Sequence, residues 1–338
     1  MKILFIGGTG NISAACVRLA VLRGDTVTVL NRGKRPLSDY GIEGVESLLG
    51  DFRDEAGMKA ILGERHFDVV ANFIAYKPED VERDIRLFGG RCGQYLFISS
   101  ASAYQKPLLE FPITEETPVV NPYWQYSRDK IACEKVCEDA FRDHGFPAII
   151  IRPSHTYETV IPLVMGGWTE FTVIDRMRKG LPVLVHGDGA SLWTMTHSRD
   201  FAVGFLGLLG HPKAVGEAFH ITSDEVMSWN RIYDLVGQAA GVAEVNKAHV
   251  PFEWISRMLP DMRGNIYGDK GACAVFDNAK IKSFVPEFKC EIPFSEGMKE
   301  TLAWFEADAK RIHISEETHI QMDRVIESYH TQLKQLGP

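Results

Sequence analysis

The sequence predicts an α/β protein: a doubly wound parallel sheet with helices on both faces, joined to a smaller mixed α/β lobe. Three observations predict it. Short apolar, β-branched runs alternate with amphipathic stretches through the first half of the chain. A glycine turn, Gly7-Gly8-Thr9-Gly10, separates the first apolar run from the first amphipathic stretch. After Arg152-Pro153 that alternation loosens.

The elements follow in order. Lys2–Ile6 (KILFI) reads as the first strand, and Ile12, Cys16, Leu19 and Ala20 give a helical spacing closed by Gly24. Strands are expected at 26–30, 45–49, 67–73, 95–98 and 148–151. Helices are expected at 54–63, 77–88 and 123–143. Beyond residue 152, helices are expected at 171–179, 199–209, 229–239 and 294–305, and strands at 182–186, 218–222 and 245–250. Residues 260–271 read as a turn-rich loop, and 314–334 as a polar amphipathic helix. The division expected is a nucleotide-binding domain over 1–160 and a mainly substrate-binding lobe over 161–338, with some elements returning to the first sheet.

The 338 residues carry a net charge of −8. An acidic balance argues against a surface built for phosphate backbones, so no nucleic-acid partner is expected. No apolar run approaches the ~20 residues of a membrane span, and no leader pattern precedes the first strand, so no membrane partner and a cytoplasmic location are expected. The six cysteines form no CxxC pair. Cys133 and Cys137 would share a helix face, without further ligands at metal spacing, so no metal is expected.

The placement of the glycine turn between strand and helix fits a dinucleotide pyrophosphate. Gly7 permits a tight turn, Gly10 lets backbone approach the anion, and the helix that follows offers free N–H groups and a positive dipole end. Ser13 occupies a position where a small residue allows close helix packing. The second strand ends in Asn31-Arg32, where an acid would repel a ribose 2′-phosphate; Arg32, with Lys34 and Arg35, would pair with one. NAD(P), leaning to NADP, is the cofactor expected. Asp51 and Phe52 follow the third strand, where a carboxylate can reach the adenine.

Tyr126 and Lys130 lie four apart on the long helix and so share a face. A free phenol titrates near 10, too high for a good base at neutral pH, and a nearby ammonium favours phenolate. A hydroxyl to polarise the substrate oxygen is available in the stretch 97–104, where the fifth strand ends.

The stretches GGTGNIS, GDFRD, FDVVANFIA, FISSASAY, ITEETPVVNPYWQYSRDKIACE and IIIRPSHTY together resemble the extended short-chain dehydrogenase/reductase family, which includes UDP-galactose 4-epimerase and sugar-nucleotide dehydratases. The likeness is dense over 1–160 and looser beyond. It implies a Rossmann-type domain, bound NAD(P) and a Ser/Thr–Tyr–Lys triad. By the family pattern Ser100 is the hydroxyl, with Ser102 the second candidate. The turn residues Gly7, Gly8, Thr9, Gly10, Asn11 and Ile12 would hold the pyrophosphate. Phe73, Ile74 and Ala75 would line the nicotinamide side, with Pro153 and Ser154 covering it. Two substrate-side departures stand out: Trp193 falls where the family places a diphosphate-clamping arginine, and His155 where it places an asparagine. Arg263 is a candidate to replace the clamp from elsewhere. The expected activity is hydride transfer on a sugar-like or hydroxy/keto small molecule, not an ordinary nucleotide sugar. The alternative is a non-catalytic NADP(H)-sensing or RNA-binding protein, since plastid relatives of the family are described as RNA-binding. Family members often pair through two long helices, so a homodimer is possible, with Ile131, Cys133, Val136 and Cys137 facing either the partner or the core.

Overall fold

The computed structural model describes residues 1–336. Seven parallel strands form its main sheet, in the order β10-β6-β5-β4-β1-β2-β3. They are β1 (Lys2–Ile6), β2 (Thr26–Asn31), β3 (Glu46–Leu49), β4 (Phe67–Asn72), β5 (Cys92–Ile98), β6 (Ala148–Pro153) and β10 (Ala218–Ile221). Strand order reverses between β1 and β4. Such a reversal opens a crevice beyond the carboxyl ends of the strands, where ligands bind in open α/β sheets.

Local sequence explains the elements. Every residue of β6 is buried, as expected of an interior strand covered on both faces. Helix α1 (Ser13–Leu22) presents Ala14, Ala15, Val17 and Ala20 to the sheet. Helix α2 (Glu55–Leu62) starts at Asp54, whose carboxylate accepts from the Gly57 N–H at 3.0 Å. Helix α3 (Pro78–Phe88) has proline at its first position, where no N–H is needed. Helix α4 (Gln125–His144) ends at Gly145, with φ of 65°. Cys133 and Cys137 face the core from this helix, which settles their side of it, and all six cysteines are free thiols.

A second sheet pairs β7 (His155–Tyr157) with β9 (Leu192–His197), and β9 with β11 (Val226–Ser228). A third pairs β8 (Val183–His186) with β12 (Lys247–Val250). The three strands of the second sheet were not expected from sequence: two are only three residues long, and the alternation of β9 covers only Trp193-Thr194-Met195-Thr196. The expected loop over 260–271 is helical instead: a short helix, Met262–Asn265, runs into a π-helical turn, Ile266–Lys270. Its glycines read as turn formers, yet Gly264 and Gly268 are there because a Cβ on either would meet Trp124 at 2.5 and 2.7 Å. No described helix is long and apolar enough to cross a membrane.

Candidate active site

One cavity of about 820 Å³ runs along the crevice from the β2 end to the second sheet. At its inner wall is the glycine turn. Gly7 has φ of +86°, and a Cβ on it would come 2.6 Å from Ile74 Cγ2. Ser13 Oγ donates to the Gly7 carbonyl at 2.6 Å and accepts from the Gly10 N–H at 2.8 Å, so this residue staples the turn as well as packing small. The N-terminus of α1 has no side-chain cap, leaving its dipole end and first N–H groups for an anion. These features fit a dinucleotide pyrophosphate. Thr9, Gly10, Asn11 and Ile12 line the cavity; Gly8 lies beneath, where a Cβ would come 2.8 Å from Val29. The Asn11 side chain is committed elsewhere, donating to the Thr156 carbonyl at 2.8 Å and accepting from the Thr159 N–H at 2.9 Å.

At the far end of the turn, Asn31, Arg32, Lys34, Arg35, Asp51 and Phe52 line the cavity. Asn31 Oδ1 accepts from the Gly33 N–H at 2.7 Å, which turns the chain and leaves the three cations exposed. Asp51 accepts from the Arg53 N–H at 3.0 Å, an Asx turn that holds the carboxylate in place.

Tyr126, Ser100 and Ser102 meet at the carboxyl ends of β4, β5 and β6. The Ser127 hydroxyl donates to Ser102 Oγ at 2.8 Å, and Ser102 and Ser100 share a 2.9 Å bond. Burial raises the Tyr126 pKa, against which the Ser100 hydroxyl works. Lys130 is buried behind the phenol. Its Nζ donates at 2.7 Å to the carbonyls of Ala75 and Ile98, and it lies 5.8 Å from the Tyr126 ring centre. Burial lowers its pKa to about 8. The ammonium was expected to pull the phenol down; burial of the phenol, with Tyr76 and Asp269 nearby, holds it up instead. Phe73, Ile74, Pro153 and Ser154 face the cavity, whereas Ala75 is fully buried and contributes its carbonyl to Lys130.

The other end is aromatic. His155 is 6% exposed, and neither ring nitrogen has a hydrogen-bond partner. Burial and the Lys270 charge lower its pKa, so the ring is neutral. It lies 5.6 Å from the Trp168 ring and 6.1 Å from that of Trp193. Trp193 is 1% exposed, donates to the Ala272 carbonyl at 2.8 Å, and packs at 5.3 Å on Trp229: it is core and cavity wall together. Arg263 is not on this wall, its guanidinium lying 5.8 Å from the Tyr267 ring. Lys270 is there instead, 4.4 Å from the Trp193 ring centre and 2.7 Å from Asp269. Sequence reasoning missed Trp168, Asp269, Lys270, Tyr76 and Trp124, all of which line the cavity. The only visible signal was Asp269-Lys270 set between Gly268 and Gly271.

A parallel sheet with a glycine turn at its switch point places the chain among the dinucleotide-binding α/β enzymes. Residues 3–222 match the NAD dependent epimerase/dehydratase family, and the chain belongs to it. It is 26% identical over 262 residues to the 2'-dehydrokanamycin reductase of Streptomyces kanamyceticus, covering 77% of this chain and 72% of that protein. It is 29% identical over 259 residues to the chloroplast stem-loop binding protein of 41 kDa b of Arabidopsis thaliana, covering 73% of this chain and 65% of that one. The UDP-glucose 4-epimerase of Bifidobacterium longum, solved with NAD+ and UDP, superposes with a TM-score of 0.74 at 20% identity, covering 92% of this chain and all of that one (100%). That last likeness is one of fold.

Proposed function

We propose that the protein is an NAD(P)-dependent oxidoreductase or epimerase that moves a hydride to or from a hydroxyl-bearing carbon of a sugar-like small molecule. One observation carries this reading: Tyr126 and Ser100 share a single cavity with the glycine turn, with Lys130 directly behind. When bound, the nicotinamide supplies the hydride acceptor or donor. Tyr126 exchanges the proton of the reacting hydroxyl, and Ser100, backed by Ser102 and Ser127, shares the charge on that oxygen. A buried phenol held in its protonated form is in the state that gives a proton to a ketone, and the same group takes it back in the reverse step. The exposed Arg32, Lys34 and Arg35 favour NADP(H). The indole at Trp193 supports a substrate other than an ordinary nucleotide sugar, and Lys270, tied to Asp269, is a poor diphosphate clamp.

The relation to a stem-loop binding protein keeps a second reading in view, a non-catalytic role in NADP(H) sensing or RNA binding. The cavity with its Tyr–Lys pair speaks for catalysis. The test is Tyr126→Phe, assayed with NADPH and NADH against free keto-sugars, simple ketones and UDP-, dTDP- and GDP-sugars. Turnover should fall by roughly 10²–10⁴-fold, the usual share of a proton-transfer group, while cofactor affinity changes little. Full activity in the variant would remove Tyr126 from the mechanism, and efficient turnover of any nucleotide sugar would overturn the substrate reading.

A further inference from the structure

Helix α3 carries a buried carboxyl that the proton-transfer chemistry does not use. Asp84 is fully buried. Its Oδ2 accepts from Asn72 Nδ2 and from the Tyr95 hydroxyl, each at 2.6 Å, while its Oδ1 has no partner. Burying a carboxyl is costly, and an apolar side chain of similar volume avoids that cost. What distinguishes Asp84 from such a side chain is the group it orients.

Asn72 is the last residue of β4 and is itself buried. The two ends of its amide have nearly the same shape and opposite hydrogen-bonding sense. The Oδ1 end accepts from the Ile74 N–H at 2.8 Å, and the Nδ2 end donates to Asp84. A flipped amide sets its oxygen against the Asp84 carboxyl and its NH2 group against the Ile74 N–H. Asp84 thus decides which way round the amide sits. Burial raises the Asp84 pKa to about 7, yet both bonds end on Oδ2, so a proton on Oδ1 leaves them in place.

The amide holds the segment 73–77, which lies outside any strand or helix. Ile74 packs against Gly7 of the glycine turn. The Ala75 carbonyl is one of the two that receive the Lys130 ammonium, and the Tyr76 ring centre lies 4.6 Å from the same Nζ. The other carbonyl, of Ile98, belongs to β5, which β4 and β6 pair on both sides, so the sheet fixes it. The Ala75 carbonyl depends on the bonds of its own segment. The Phe73 N–H donates to the Ile6 carbonyl at 3.0 Å, Ile74 to Asn72, and Tyr76 and Lys77 to Asp80 Oδ2 at 3.0 and 3.2 Å. Both side-chain anchors therefore lead back to α3, Asp80 directly and Asp84 through Asn72.

Resting on the reading that chemistry occurs at Tyr126, we infer that Asp84 is a positioning residue for Lys130: it orients the Asn72 amide, the amide holds the Ile74 N–H, and the segment so held delivers the Ala75 carbonyl to the ammonium. The role needs an acceptor at position 84 and not a charge. Asp84→Asn keeps an oxygen for Asn72 and Tyr95, so it preserves the arrangement. Asp84→Leu fills the same space and leaves the amide free to turn.

The test uses the full chain without cofactor and takes two readings that need no substrate. Amide exchange, followed by mass spectrometry, reports on the segment 73–77. Carbon-13 NMR of protein labelled at the lysine ε-carbons reports the Lys130 titration, assigned by its loss in Lys130→Met. In Asp84→Leu, exchange over 73–77 should quicken by about tenfold or more while β5 keeps its protection. The Lys130 titration should rise by about half a pH unit or more toward its ordinary 10.5, because the segment covers the ammonium. Asp84→Asn should match the wild type in both readings. Tyr95→Phe removes the other donor to Asp84 and should cost stability while moving neither reading, which separates positioning from packing. If Asp84→Leu does not fold, Asn72→Ala carries the same expectation. Wild-type exchange and titration in Asp84→Leu or Asn72→Ala, or the full disturbance already present in Asp84→Asn, would overturn the proposal. If the two readings behave as expected but the wild type turns over no hydroxy or keto compound with NAD(P)(H), the positioning stands and the hydride-transfer reading falls; wild-type turnover retained in Asp84→Leu, with both readings unmoved, does the reverse.

Discussion

The Lys130 ammonium is held 2.7 Å from the carbonyl oxygen of Ala75, a bond made where solvent does not reach. Its pKa lies near 8, against an ordinary 10.5. Between those values the unfolded chain binds more protons than the folded one, so this group's contribution to stability rises with pH. Below about 8 both states hold the proton, and the full cost of burying the charge stands. Urea unfolding of wild type and Lys130→Met, without cofactor, should therefore show the difference moving toward the wild type by on the order of 2–3 kcal/mol from about pH 7.5 to 10.5. A difference flat with pH would mean that Lys130 is not desolvated in solution.

Arg32 stands beside Asn31 on the cavity with Lys34 and Arg35. Calorimetric titration should find NADP(H) bound at least as tightly as NAD(H). Arg32→Glu should move the ratio toward NAD(H) by at least tenfold, about 1.4 kcal/mol. A wild-type preference of that size for NAD(H) would remove the 2′-phosphate from the role assigned to these cations.

Glu134 and Arg152 form a buried two-pronged pair, at 3.0 and 2.8 Å, and Ser99 donates to the same carboxylate. The pair joins α4 to β6 under the site. Glu134→Ala strands the guanidinium and should destabilise the protein by about 3–5 kcal/mol. Denaturant midpoints measure this, and a loss under about 1 kcal/mol would show that water replaces the carboxylate.

With a net charge of −8, strong salt-sensitive RNA binding is not expected. Fluorescence anisotropy with stem-loop and single-stranded RNA at two salt concentrations decides the point. Submicromolar binding near physiological salt that weakens steeply as salt rises would bring the nucleic-acid reading forward.

The first six strands of the main sheet were legible because each is a short apolar run next to turn residues, and the glycine turn because its neighbours on both sides were clear. Tyr126 and Lys130 were legible as a helical spacing, and the structure brings them to the same cavity as the turn. The lobe was harder. Trp168 owes its place to a positive φ enforced by Ile161, and Lys270 to a π-turn held by Asn121, His186 and Trp229, residues far from it in sequence. Long-range contacts of that kind leave no periodicity to read. Protonation went the same way: sequence placed an ammonium near a phenol, but the burial that governs both belongs to the packed structure.

Asn11 bonds at once to Thr156 and Thr159, so the turn that would receive the pyrophosphate and the strand that carries His155 are one mechanical piece. A ligand that stiffens either end spends part of the ordering cost of the other. Linkage then requires the effect to be mutual: whatever factor the dinucleotide adds to the affinity for the substrate, the substrate returns to the dinucleotide. Order of arrival can alter the rates but not that factor, and a mutation at Asn11 would loosen the bond between two ligands that it need not touch.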